Sequence, residues 1–415
     1  MFVKHAGSPA GFSDRRFALS IALITILAPT ATDLYLASMP DIAKALHTSY
    51  ANVQISLTVF LLAQGLGQIF FGPVIDRFGR RTPLLLGLLA FILSSIWGGL
   101  SQSIESLVLS RFIQGLAGSL LLVVSFSSVR DVADGSRAAR LFALLLTIEG
   151  LAPVFAPMAG GYLDAYFGWR VVLWTSAAMG LCALANSWIA LPETLPEDRR
   201  IPLRPGVLWA NYKRIATDRN FMLPTLALSG VFFFLFAYIS GGAYLYQGVF
   251  GLTPDEFGLI FGITGGAVMT GAFVSGRLVR RHMVADIAVI SVVLIIAGVC
   301  AAALASRAVG VYGLVPGFML ALFGLGMAET TLLALTMASQ KTALGFTSAL
   351  MGCMHLVLSS LSTPISGYLL PKSMGAWFMF LLASTLVTLA LALAARANLR
   401  KAAKKGDELM EPAAS

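Results

Sequence analysis

Apolar runs of about 20 residues, the length that crosses a hydrocarbon core, alternate with short polar breaks along the whole chain. The pattern predicts twelve helical spans, at approximately 17–39, 52–72, 82–100, 104–128, 138–162, 168–191, 220–247, 256–276, 284–305, 310–336, 345–370 and 374–395. The longest polar stretch, roughly 192–219, divides them six and six. Pro192, Pro196, Pro202 and Pro205 argue against one continuous helix there, although Trp209 to Ile215 suits a short helix on the membrane surface. The expected organisation is a polar N-terminus (1–16), a first six-helix half (17–191), a linker (192–219), a second half (220–395) and a polar tail (396–415). A faint repeat supports duplication: Gly72-Pro73-Val74-Ile75-Asp76-Arg77-Phe78-Gly79-Arg80-Arg81 follows the second span, and Gly276-Arg277-Leu278-Val279-Arg280-Arg281 follows the eighth. Parallel halves of this kind place a binding site near the midplane between them.

Composition agrees with a chain immersed in lipid. Of 415 residues, 57% are hydrophobic and only 12% charged, against about 45–50% and about 25% in soluble domains. The runs are too long for barrel strands. The first sixteen residues are polar and end in Arg15-Arg16, and the apolar run after them is too long for a signal-peptide core, so no cleavable leader is expected. Twelve crossings put both termini on one side. With that side cytoplasmic, 24 of the 29 Lys and Arg fall inside and four (Lys44, Arg170, Arg307, Lys372) fall outside, a strong positive-inside bias. The net charge of +9 is thereby explained without nucleic acid. Cys182, Cys300 and Cys353 stand singly in apolar runs, with neither metal-ligand spacing nor a disulfide framework, and suit small packing positions.

Against this background a few charges stand out. Asp33 is the one charged residue in FALSIALITILAPTATDLYLASM, and a carboxylate at such depth is costly unless neutralised, paired or facing water. Arg111, in the fourth span, falls at matched depth: both lie roughly 10 Å below the outer surface at about 1.5 Å per residue. The two are expected to pair, directly or through Gln114, either as a static structural ion pair or as a site where protonation and substrate compete. Burial favours the neutral acid and a neighbouring guanidinium favours the anion. Glu149 and Glu329 fall near mid-membrane in the fifth and tenth spans, as candidates for a cationic substrate or a second proton; Glu149 alternatively serves a backbone group freed by Pro153. His355, in the eleventh span, is a proton-transfer candidate or a neutral histidine bonded between helices. Tyr35 and Tyr238 are candidates to line an aromatic cavity suited to lipophilic neutral or cationic compounds. Small residues at Ala152, Ala156 and Gly160 allow close helix approach, Pro153 and Pro157 should bend the fifth span, and Gly262 with Gly266 gives the eighth a similar stripe.

The segment GPVIDRFGRR resembles the signature loop of the major facilitator superfamily, G-x-L-x-D-R-x-G-R-K, with Ile75 and Arg81 as conservative departures. Arg111-x-x-Gln114-Gly115 looks like the family's R-x-x-Q-G motif. Ala152 to Gly161 resembles the fifth-span motif of its drug/proton antiporters, at Pro153, Pro157, Gly160 and Gly161. Asp33-Leu34-Tyr35-Leu36-Ala37-Ser38-Met39-Pro40 resembles the end of the first span in Bcr/CflA-type drug antiporters, with Ala37 replacing a proline. The resemblance implies an all-α membrane protein with twelve transmembrane helices in two six-helix halves. It puts spans one, four, seven and ten around a central cavity and the fifth beside the interface. It also implies that Gly72, Asp76, Arg77, Gly79, Arg80 and Arg81 form a gating loop, in which glycines permit the turn, Asp76 meets the positive end of a helix and the arginines pair with acids such as Asp131. The plainer reading is that those arginines set topology alone.

The expected function is therefore a proton-coupled exporter of small amphiphilic compounds, working by alternating access as a monomer in the bacterial inner membrane, with no cofactor but the proton gradient and no metal. The alternatives are a dedicated exporter of one metabolite (an amino acid, sugar or siderophore), a transporter-like sensor, or a membrane enzyme. Against an enzyme, the chain has no paired histidines at metal spacing, no phosphate-cradling G-x-x-x-x-G-K and no G-x-S-x-G.

Overall fold

A computed structural model describes residues 14–200, 202, 205–340 and 344–410. Its regular elements are helical throughout: α1 (Asp14–Thr25), α2 (Leu27–Leu36), α3 (Met39–Ala45), α4 (Tyr50–Phe78), α5 (Arg81–Leu100), α6 (Ile104–Val132), α7 (Gly135–Phe167), α8 (Trp169–Ala190), α9 (Pro205–Ala216), α10 (Arg219–Ala243), α11 (Pro254–Leu278), α12 (Val284–Val309), α13 (Val311–Ala338), α14 (Leu344–Ser360), α15 (Ser362–Leu369) and α16 (Met374–Met410). Among the described residues, twelve helical stretches are long and apolar enough to cross a membrane.

Helix ends follow local chemistry. Ser49, Ser103 and Asp218 accept the backbone N–H of Asn52, Ser106 and Asn220 at the starts of α4, α6 and α10. Thr253 and Glu256 form a capping box on α11. Glycines at positive φ end α4, α7 and α12: Gly79 (85°), Gly168 (81°) and Gly310 (60°). The structure departs from simple spans in four places. The first is interrupted at Ile26, between α1 and α2, and the eleventh at Leu361, between α14 and α15. The seventh ends in a π-turn, Tyr244–Val249. The fifth extends to Phe167, beyond the boundary expected at 162, and runs unbroken through Pro153 and Pro157.

With twelve such stretches among the described residues, the start of α1, the end of α16 and the stretch between α8 and α10 fall on one face, here termed the terminal face; the opposite one is the distal face. The N-terminal helices α1–α8 meet α10–α16 along two seams, α4 against α14 and α15, and α7 against α11. At the distal face the seams are closed by hydrogen bonds. Tyr50 Oη and Gln54 Nε2 both donate to the carbonyl of Ser240, at 2.5 and 2.8 Å, and Gln247 Nε2 donates to the carbonyl of Ala37 at 2.8 Å. Thr58 and Thr363 share a further hydroxyl contact. On the terminal face, Tyr212 of α9 donates to the carbonyl of Ile69 and packs edge-on to Phe346, touching both α4 and α14.

Candidate functional site

Asp33 lies on α2 one turn before Ala37, on the side of the helix that meets the second half through Gln247. It is 7% exposed and makes no side-chain hydrogen bond or ion pair among the described residues. The sequence placed it at the right depth for a partner, and the structure supplies none.

The expected pairing with Arg111 is corrected. Arg111 is fully buried and turned away: Nη1 donates to the carbonyl of Ala31 (3.2 Å) and to Gln114 Oε1 (2.6 Å), while Gln114 Nε2 donates to Ser95 (2.7 Å). Its guanidinium is sandwiched between the rings of Tyr35 (4.5 Å) and Phe60 (4.2 Å). Gln114 therefore anchors Arg111 to α5 and does not bridge it to Asp33. Matched depth fixes the level of a side chain, whereas rotation about the helix axis decides what it meets.

Tyr35 and Tyr238 are corrected as cavity residues. Tyr35, 1% exposed, shares a hydrogen bond with Ser56 at 2.6 Å. Tyr238, fully buried, stacks on Phe261 and tilts against Phe318. Both rings pack within their own halves. His355 is half-buried, with Nδ1 3.0 Å from its own helix's Met351 carbonyl and its ring 4.4 Å from that of Phe232. Its polar contact is thus within α14, not between helices.

Glu149 and Glu329 belong to opposite halves, on α7 and α13. Both are half-buried, neither has a hydrogen bond or ion pair among the described residues, and Glu149 feels the charge of Glu329. Glu149 stands one turn before Pro153, on the side of α7 that faces α11.

The basic loop after α4 engages its own half. Arg80 Nη1 meets Asp76 at 2.7 Å and Nε meets Asp131 at 2.9 Å. Burial would lower the Arg80 pKa, but these two carboxylates outweigh it and raise the guanidinium above its usual value. Thr194 also donates to Asp131. Glu193 accepts the backbone N–H groups of Arg80, Arg81 and Leu195, and its carboxylate lies against Gly79, where a Cβ would collide with it. Arg81 reaches the carbonyl of Trp188, Arg77 lies over Phe78, and Gly72 has open space around it. Glu193 was not anticipated from the sequence.

α7 presents three faces. Phe155, Tyr162 and Tyr166 are exposed on the outer surface. Ala152, Ala156 and Gly160 turn toward the helix's own half, where Ala156 packs with Leu34 and Val172, and a Cβ on Gly160 would strike the Leu34 carbonyl. Pro153, Pro157 and Gly161 turn toward α11. A Cβ on Gly161 would strike the Pro254 carbonyl, one on Gly258 would come to 2.5 Å of the Pro157 carbonyl, and one on Gly265 to 2.9 Å of the Pro153 carbonyl. Because Pro157 has no N–H, the Pro153 carbonyl lacks its intrahelical partner. The packing stripe on α11 is Gly258, Gly262 and Gly265; Gly266, expected to contribute, has nothing within 4 Å.

A second buried acid, Asp164, lies beyond the boundary at 162 that hydropathy gives the fifth span. Gly168 was the available signal: a helix stopping at this glycine places Asp164 inside it.

The family model described as Major Facilitator Superfamily matches residues 21–363. Among curated relatives, the MFS-type transporter YdgK of Bacillus subtilis is 34% identical over 369 residues, covering 87% of this chain and 90% of the relative. The bicyclomycin resistance protein homolog of Haemophilus influenzae is 31% identical, over 64% of this chain and 67% of its own. The multidrug resistance protein MdtL of Escherichia coli is 28% identical, over 91% and 94%. Among solved structures, a bacterial homolog of the human lysosomal transporter Spinster superposes with a TM-score of 0.69 at 16% identity, over 92% of this chain and 95% of that one.

Proposed function

Because the chain belongs to the major facilitator superfamily, a family of membrane transporters and not enzymes, we propose that it is a proton-coupled exporter of small amphiphilic compounds in the bacterial inner membrane, with its terminal face cytoplasmic. The observation that carries this reading is Asp33: an acid buried beside the seam between the halves, with no counter-ion among the described residues. Such a site accommodates the neutral carboxyl and penalises the anion. When the halves rock and water reaches the acid from the other side, the penalty lifts and the proton leaves. Binding and release of one proton are then tied to alternating access, and flow of protons inward drives substrate outward.

The relatives named for bicyclomycin and multidrug resistance support a drug-like substrate. Glu149 and Glu329, two acids on opposite halves that make no ion pair among the described residues, favour a cationic amphiphile over a neutral metabolite. The positive-inside distribution supports the orientation. The distal seam is bonded shut, so with the terminal face cytoplasmic this conformation is closed to the outside.

The test is transport in proteoliposomes with an imposed proton gradient and a fluorescent lipophilic cation. Gradient-driven movement should fall to the level of protein-free vesicles in Asp33→Asn and persist in Asp33→Glu. Undiminished uphill transport by Asp33→Asn would remove Asp33 from the proton pathway.

A further inference from the structure

Asp164 is 5% exposed, and neither of its carboxylate oxygens has a hydrogen-bond partner. At about 100° per residue, its direction on α7 falls between that of Gly160, which touches Leu34 of α2, and that of Gly161, which touches Pro254 of α11. It therefore points into the wedge where the first half's α2–α3 corner and the second half's α11 close together on the distal face. Ser38 lies close enough to affect the carboxyl, but its hydroxyl makes no hydrogen bond of normal geometry. Among the described residues no charged group around the wedge forms an ion pair with Asp164, although Lys44 exerts a weak attraction outweighed by the repulsion of Asp41. From α3 come Asp41 and Lys44, which pair with one another at 2.8 Å in solvent. His47 follows α3 and is exposed. α11 brings Asp255 and Glu256, and α8 brings Arg170, which donates to the Ser101 carbonyl and stacks on Trp169.

We propose that Asp164 is a second proton site, distinct from Asp33, which takes up a proton from the outside as the distal seam closes and loses it as the seam opens. In the closed wedge neither carboxylate oxygen is hydrogen-bonded and no cation pairs with it, an arrangement that accommodates a neutral carboxyl and penalises an anion. Withdrawal of α11 exposes one wall of the wedge to external water, where the anion is solvated. Closure is then linked to binding of one proton, so acid outside favours the closed seam and base favours the open one. The meaning of this site rests on the alternating-access reading, but its existence does not depend on Asp33.

The experiment uses the full chain in lipid nanodiscs with Cys182, Cys300 and Cys353 replaced by serine. Spin labels at Gln102→Cys and Tyr312→Cys, both exposed on the distal face, report the distance across the seam. Asp33→Asn is present throughout, so that titration of Asp33 cannot contribute. From about pH 5 to about pH 9, the ratio of open to closed distances should rise by up to about tenfold per pH unit with Asp164 intact. Asp164→Asn should hold the closed distance at every pH, and Asp164→Glu should restore the dependence. If Asp164→Asn does not fold, Asp164→Ser replaces it with the same expectation. A pH dependence that survives loss of the carboxyl, or one that is absent while Asp164 is intact, overturns the proposal; either result leaves the role of Asp33 in transport unaffected.

Discussion

At the scale of single residues, Arg111 shows how a full charge is carried inside a membrane helix bundle without a carboxylate. Two aromatic faces take the place of an anion, and one carbonyl and one amide oxygen accept from Nη1, while Nε and Nη2 are left without partners. Desolvated cation–π contacts are worth about 2 kcal/mol or more, and they depend on the flat guanidinium, which an ammonium does not reproduce. Arg111→Lys should therefore destabilise the protein by about 2 kcal/mol, read as a lower melting temperature in detergent, although the charge is kept. An unchanged melting temperature would mean that charge alone matters here. The sequence revealed that Asp33 and Arg111 are special, because a charge in an apolar run costs too much to be idle. It could not reveal that they avoid one another. That depends on Tyr35 and Phe60 arriving on either side of Arg111 from two different helices, and hydropathy carries no information about such rotation.

The element on which most depends is α7. Its three faces are assigned by residues one apart: Gly160 serves its own half and Gly161 the other. This predicts different consequences for two adjacent glycine-to-alanine changes. Gly161→Ala places a methyl against the Pro254 carbonyl of α11, so it should shift the protein toward an open distal seam, visible as a longer spin-label distance, with little change in melting temperature. Gly160→Ala presses instead on the Leu34 carbonyl inside the first half, where overpacking typically costs about 1–3 kcal/mol; it should lower the melting temperature. Equal effects of the two would refute the division of faces. The small-residue stripe of α7 was legible in the sequence as a periodicity, but its partner was not: Ala152, Ala156 and Gly160 pack on α2 and α8, and the inter-half surface is carried by Pro153, Pro157 and Gly161. Likewise Gly265, not Gly266, completes the opposing stripe on α11. A spacing of four fits either face, and only the neighbouring helix decides between them.

For the molecule as a whole, hydropathy was sufficient for the twelve spans, since lipid leaves a backbone few solutions. The coupling between parts was not legible, because it rests on groups such as Glu193 that look ordinary in a polar stretch. Glu193 clips the beginning of the linker to the first turn of α5, a favourable place for a carboxylate. Glu193→Ala should cost about 1 kcal/mol, as other losses at helix starts do, and should raise trypsin cleavage at Arg199 and Arg200 about fivefold. Unaltered cleavage would show that the linker is held elsewhere. The distal seam has a further consequence. Apart from the Thr58–Thr363 hydroxyl contact, its acceptors are main-chain carbonyls, those of Ser240 and Ala37, and the donors Tyr50, Gln54 and Gln247 are side chains. A carbonyl persists whatever amino acid occupies its position. Substitution at positions 37 and 240 therefore cannot remove these acceptors, although both residues are fully buried and their size is constrained by packing. The carbonyl-bonded part of the latch is accordingly written in three codons, those of Tyr50, Gln54 and Gln247, which makes them a natural place for selection to adjust how long the transporter stays shut.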